Sequence, residues 1–184
     1  MTPEQADREL NTSYREAMNR LPPATREKLR NAQRAWLAFA EKNNVALRLA
    51  AGSLSISAQV CQATELEEVE KRSIDFGYSE ESTEPEQVSG RYEQVDAYLN
   101  GIYERCLSSL APDAKAALRE AQRAWLVYRT ANRPFGINFV TGLTVRRADQ
   151  LNDFYIPTNR TAPISRSRPV KAERSPPDPF ERAR

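Results

Sequence analysis

The chain of 184 residues contains no histidine. Its absence removes the commonest general base and the commonest metal ligand, and with them any Ser-His or Cys-His nucleophilic system. The only two cysteines, Cys61 and Cys106, are too few and too irregularly placed for a disulfide framework or a zinc site. There is no glycine-rich phosphate loop, CxxC pair or Walker-type segment. No stretch approaches the roughly 18 apolar residues that span a bilayer. Period-two alternation, the mark of a half-buried strand, is also missing. A formal net charge of +2 is too small to imply nucleic acid. Carboxylates alone could hold a metal around Glu65, Glu67, Glu68 and Glu70, but at that spacing they spread around a helix rather than converge. No cofactor is expected, and the chain reads as one built to bind or support rather than to catalyse.

What the sequence does contain is a repeat. Ala32-Gln33-Arg34-Ala35-Trp36-Leu37 recurs unchanged as Ala121-Gln122-Arg123-Ala124-Trp125-Leu126, an offset of 89. The same gap-free register superimposes Asp7 on Asp96, Leu10 on Leu99, Asn11 on Asn100 and Tyr14 on Tyr103. Over positions 4–39 it gives 16 identities in 36, where composition alone yields about two or three. A duplicated module of this size sits near the lower limit for an independent core, so two copies are expected to pack together and cover each other's apolar faces.

Local signals divide each copy into about three helices. Thr2-Pro3-Glu4-Gln5 reads as an N-cap, a proline at the first helical position and a capping-box glutamine. Ala6, Leu10, Tyr14, Ala17, Met18 and Leu21 then form one apolar stripe, which Pro22-Pro23 ends. A second helix begins near Pro23, buries Leu29, Ala32, Ala35, Trp36 and Phe39, and runs toward Gly52-Ser53. A third spans about Leu54 to Ile74. The second copy repeats the scheme near 87–110, 112–132 and 138–155. The predicted fold is therefore all-α: a first module over 2–76, an acidic linker over 77–88, a second module over 89–156, and a basic Pro/Arg-rich tail over 157–184 read as disordered. Each tryptophan is expected between the first two helices of its own module.

The recurring polar residues carry the main question. Asp7, Asn11 and Tyr14, like Asp96, Asn100 and Tyr103, follow i, i+4, i+7 spacing beside Leu10 or Leu99, which places them on what reads as the core face. Buried polar groups need partners, and Gln33 with Arg34, or Gln122 with Arg123, are the natural ones for an interhelical hydrogen-bonded lock. A general base at Asp7 or Asp96 would also need a cleft and an oriented substrate, which a short helical pair does not imply. These residues, with Trp36 and Trp125, are read as fold determinants.

Charge is unevenly spread. From Glu65 to Glu86 nine acidic residues face only Lys71 and Arg72, while the tail carries seven Arg or Lys. An acidic surface at Glu65, Glu67, Glu68 and Glu70 would favour encounter with a cationic protein partner, although a charged helix face is most often simply solvated. Neither nucleic acid nor a membrane span is expected as a partner, and oligomeric state is not legible.

The pattern Asp-x-x-Leu-Asn-x-x-Tyr followed by Leu-x-x-Ala-Gln-Arg-Ala-Trp-Leu-x-(Phe/Tyr), present at Asp7–Phe39 and Asp96–Tyr128, resembles the LprI-type lysozyme-inhibitor family of small bacterial proteins. The resemblance implies an α-helical domain outside the cytoplasm and, for some members, inhibition of peptidoglycan-cleaving lysozyme. Members commonly carry a cysteine eight residues after the tryptophan and a second on the next helix. Here Asn44 and Arg133 take the first position and Cys61 matches the second, so the implied staple is lost in both copies. The family implies a periplasmic or secreted protein once a signal peptide is removed. Met1 leading directly into a helix start would instead fit a cytoplasmic one. The expected function is a non-catalytic inhibitor of a lysozyme-type hydrolase, the alternative being a helical scaffold or immunity-like partner that uses a groove between the modules.

Overall fold

The caps and prolines written in the sequence mark helix boundaries in the computed structural model, which describes residues 2–54, 56–78 and 90–155. Helix α1, Pro3–Arg20, opens on Thr2: its hydroxyl accepts from the Gln5 N–H at 3.2 Å, and the Thr2 N–H donates to Gln5 Oε1 at 2.7 Å. That closes the expected capping box. The chain leaves the helix at Leu21, whose carbonyl accepts from Arg26 Nε at 2.7 Å.

Helix α2 is the longest element, Pro23–Leu54, and passes through Gly52 rather than stopping there. The third helix, α3, accordingly starts at Ala58 instead of Leu54 and ends at Asp75, followed by a 3-10 turn over Phe76–Tyr78. In the second copy come α4, Gly90–Ser109, and α5, Pro112–Ala131. Helix α5 stops where α2 continues because Pro134 cannot donate to a helix and biases its predecessor away from helical geometry. A 3-10 turn over Arg133–Phe135 and Gly136, at φ 100°, redirect the chain into α6, Ile137–Tyr155. Six α-helices and no strand occur among the described residues. Most of the expected acidic linker and the tail from 157 onward lie outside them.

The copies interlock rather than sit side by side. Helices α2 and α5 form the most extensive pairing, α1 packs on α3, and α4 packs on α6. Buried alanines along the central pair, among them Ala32, Ala35, Ala46 and Ala121, suit the close approach of their backbones. One continuous core joins both copies, from Leu10 and Leu29 to Leu118 and Leu151. Trp36 and Trp125 are buried at 4% and 2% exposure, but in a place the sequence did not indicate. Because α1 pairs with α3 rather than α2, both indoles face the seam where the two copies meet.

Candidate functional site

Where α2, α3, α5 and α6 converge, a cavity of about 20 Å³, measured as the space open to the centre of a water molecule, lies at the seam. That is room for about one water. Its lining comes in pairs related by the duplication. Trp36 and Trp125, and Phe39 and Tyr128, stand 89 positions apart on α2 and α5. Lys71 and Arg146, Arg72 and Arg147, Asp75 and Gln150, and Glu68 and Leu143 stand 75 apart on α3 and α6. The second offset is shorter because α2 runs 32 residues and α5 only 20.

The two innermost arginines, each 2% exposed, organise the site. Arg72 Nε donates to Gln33 Oε1 at 2.9 Å, and Arg147 Nε donates to Gln122 Oε1 at 3.1 Å. The repeated glutamine of each Ala-Gln-Arg-Ala-Trp-Leu segment therefore anchors the arginine of its own copy's third helix. Each guanidinium also lies against an aromatic of the other copy: Arg72 is 5.4 Å from the Tyr128 centroid and Arg147 is 5.1 Å from that of Phe39. Those two rings stack on one another, 6.0 Å apart and 3° from parallel.

The remaining partners differ. Asp75, nearly buried, accepts from Arg146 Nη2 at 2.7 Å and from the Tyr128 hydroxyl at 3.4 Å, and lies 3.8 Å from Arg72 Nη1. Arg147 Nη1 instead donates to Asn43 Oδ1 at 2.7 Å and to Gln150 Oε1. Burial pushes Asp75 and Glu68 above the ordinary carboxylate range, against the opposing pull of Arg146 on the first and Lys71 on the second. Burial likewise raises the Tyr128 hydroxyl and lowers Arg147 from its usual value, although a guanidinium stays charged at any ordinary pH.

The residues singled out in the sequence divide between this site and the surface. Gln33, Gln122, Trp36 and Trp125 belong to the cavity or its first supports. Asp7 and Asn11 are exposed, not on the core face, and the Asn11 amide donates to the Asp7 backbone carbonyl at 2.8 Å. Tyr14 packs on Phe76, 5.4 Å between centroids, rather than on Gln33 or Arg34. Arg34 and Arg123 are exposed, and pair within their own helices with Asn31 and Glu120. In the second copy Asp96 accepts from Arg129, which lies 4.8 Å from the Trp125 ring, and Asn100 donates to Asp96 at 3.5 Å. Asn100 and Tyr103 line an open surface groove of about 440 Å³ with Gln122, Arg123 and Leu126. The expected lock between the first and second helices is not formed: Gln33 and Gln122 accept instead from Arg72 and Arg147 of the third helices.

The acidic run is only partly free. Glu65 is gripped by Arg48 at 3.2 and 3.3 Å, and Glu67 pairs with Lys71 at 3.0 Å. Glu68 turns toward the cavity with a fifth of its side chain exposed, and Glu70 is half-buried. Cys61 and Cys106 are both buried and free, so no disulfide spans the copies. Sequence reasoning missed Arg72, Asp75, Arg146, Arg147 and Gln150. A usable signal was present in the pairs Lys71-Arg72 and Arg146-Arg147, the latter set among Leu143, Ala148 and Leu151.

The duplicated pattern has a counterpart among known families. The family model described as lysozyme inhibitor LprI matches residues 3–76 and, a second time, 79–151. The chain belongs to the lysozyme inhibitor LprI family. Its two matched segments each bring one copy of the Gln-Arg-Ala-Trp pattern, and the seam between the LprI segments is where the buried arginines meet. Among solved structures, the chain is similar to that of an uncharacterized protein from Burkholderia thailandensis, at 20% identity and a TM-score of 0.74, covering 83% of this chain and 81% of that one. That likeness concerns the fold alone. None of the curated proteins matches the sequence. No helix among the described residues is long and apolar enough to cross a membrane.

Proposed function

We propose that this LprI-family protein acts outside the cytoplasm as a non-catalytic inhibitor, binding a lysozyme-type cell-wall hydrolase as its protein partner. The observation that carries the reading is the match of the lysozyme-inhibitor family model to both copies. The reading takes 2–76 and 89–156 as two packed modules joined by the acidic stretch and acting as one body. On α3, Glu67 is exposed and Glu70 half-buried, with Glu65 held nearby by Arg48, which supports an acidic approach surface for a cationic enzyme. Such a surface would act mainly on the rate of encounter and would weaken with salt.

A scaffold that captures partners in a groove between the copies has less support. The indoles and rings that would line such a groove are consumed by the internal seam.

Titration of lysozyme activity on cell walls against the purified protein tests the reading, and a stoichiometric loss of lysis at low ionic strength is expected. Unchanged lysis at large molar excess and low salt overturns it. Glu67→Lys with Glu70→Lys is expected to slow association and flatten its salt dependence; an unaltered association rate would remove α3 from the interface while leaving inhibition itself to the titration.

A further inference from the structure

The cavity at the seam is lined by four cationic side chains, Lys71, Arg72, Arg146 and Arg147, against two carboxylates, Glu68 and Asp75. Asp75 is engaged by Arg146, Arg72 and Tyr128. Glu68 lies 3.9 Å from Lys71, which also pairs with Glu67. Arg147 stands apart. It is fully inside, and the groups that accept from it, Gln122, Asn43 and Gln150, are all neutral amides. A buried guanidinium without a hydrogen-bonded counter-charge is costly, and the charge of Arg147 is offset only at a distance, by the Glu68 carboxylate and the face of the Phe39 ring.

Among the described residues, buried side-chain atoms without a protein partner include Asn132 Oδ1 and Tyr155 Oη, outside the lining, and three on residues that line the cavity, which have one chemical character. Arg72 Nη2, Arg147 Nη2 and Gln150 Nε2 are buried and meet no acceptor among the described residues, and all three are N–H donors. The Gln150 amide cannot simply be turned over, because its oxygen already accepts from Arg147. A water could accept from two of these donors but would bring two hydrogens needing acceptors of their own. A species that only accepts, carries negative charge and is scarcely larger than water fits both the excess positive charge and the surplus of donors.

We propose that the seam cavity is a binding site for a small monovalent inorganic anion, chloride in ordinary solution, held between Arg72 and Arg147. The cavity's small volume suits an ion of about the size of water better than a larger anion. Entry lies past the partly exposed side chains of Lys71, Arg146 and Glu68, which are 30%, 31% and 20% exposed. The anion would tie together the two copies at the one point where both contribute a buried cation, so it acts as an internal counter-ion for the duplicated fold. This inference does not rest on the hydrolase reading, since it is argued from the buried seam and not from any protein partner.

The two tryptophans of the chain both line this cavity, which gives the site its own reporter. Bromide quenches indole fluorescence on contact. In the full chain, bromide titrated against gluconate at constant ionic strength is expected to quench saturably, and chloride to reverse that quenching by competition. Arg147→Gln is expected to abolish the saturable component. If that variant does not fold, Lys71→Gln, at the exposed rim, is expected to raise the half-saturating bromide concentration several-fold while leaving the far-ultraviolet circular dichroism unchanged. Chloride in place of gluconate is expected to raise the thermal midpoint of the wild type. Quenching that stays linear in bromide, or that chloride does not reverse, overturns the proposal and leaves the cavity to water only. A saturable component that survives intact in folded Arg147→Gln or Lys71→Gln overturns it equally.

Discussion

Arg72 and Arg147 occupy matching places on α3 and α6, bond to the matching glutamines Gln33 and Gln122, and lie against the matching rings Tyr128 and Phe39. They diverge at the next contact. The first copy supplies a carboxylate, Asp75, which also reaches across the seam to Arg146; the second supplies an amide, Gln150, with Asn43 from the other copy completing the cradle. One arginine has a carboxylate 3.8 Å away, and the other has only neutral amides as hydrogen-bond acceptors. The contrast shows that duplication fixed the geometry of the seam while the two copies remained free to differ in how they solvate the buried charge.

The symmetric part of this comparison is tested most severely at the indoles. Trp36→Ala and Trp125→Ala should each cost about 3–5 kcal/mol in urea denaturation, since either leaves a void at the same seam. A difference between them of more than about 2 kcal/mol would mean that the seam is not shared equally. The asymmetric part is tested at the paired positions 75 and 150. Asp75→Ala should cost about 3–5 kcal/mol, because it strips the counter-charge from Arg72 and Arg146 together. Gln150→Ala, removing a neutral acceptor, should cost about 1–2 kcal/mol. Equal losses in the two variants would collapse the distinction between a charged and a neutral cradle.

The cysteines sharpen the comparison by pH. Burial pushes the Cys106 thiol from the ordinary 9.0 up to about 11, with Arg147 opposing the shift. A folded-state value above the unfolded one stabilises fully below the unfolded value, and that contribution disappears as pH climbs to the folded value. Cys106 should therefore withdraw about 2–3 kcal/mol of stability between its two values, and Cys106→Ala should flatten that part of the pH profile. Cys61, bordering an open groove with Arg48, Ile56 and Gln62, should react with a thiol reagent before Cys106, whose side chain is wholly enclosed. Reaction in the opposite order would show that the second copy opens more readily than the first. The smallest expected effect lies at helix starts. Helix α1 is capped by Thr2, whereas Ala111 gives α5 no side-chain cap bond, so Ala111→Asp should raise stability by about 0.5–1 kcal/mol in thermal melts.

Much of the fold was readable because its signals are local. The Thr2–Gln5 capping box, the breaks at Pro22-Pro23 and Pro112, and the stripe Ala6, Leu10, Ala17 and Leu21 each act within a few residues, and each appears where the sequence places it. The misreading of Asp7 and Asn11 has a simple cause. Each follows a buried residue, Ala6 or Leu10, by one position, and one residue turns a helix by about 100°, enough to carry a side chain from the core to solvent. The site itself was half legible: the repeated glutamines and tryptophans announced themselves by their fixed offset. Their arginine partners did not, because the third helices correspond at a different offset and because charged residues on a helix usually mark its wet side.

The amino-acid order alone determined that this chain is helical, that it is built twice, and which stripes turn inward, since periodicity, caps and prolines are properties of neighbouring residues. Only the tertiary structure decided that α1 would pair with α3, that both tryptophans would meet at one seam, and that Arg72 and Arg147 would be buried there. Those outcomes depend on how two copies dock, through contacts such as the one that joins Asn43 to Arg147 across 104 positions of chain. Partners so far apart in sequence are selected by the whole packing arrangement, not by any local preference.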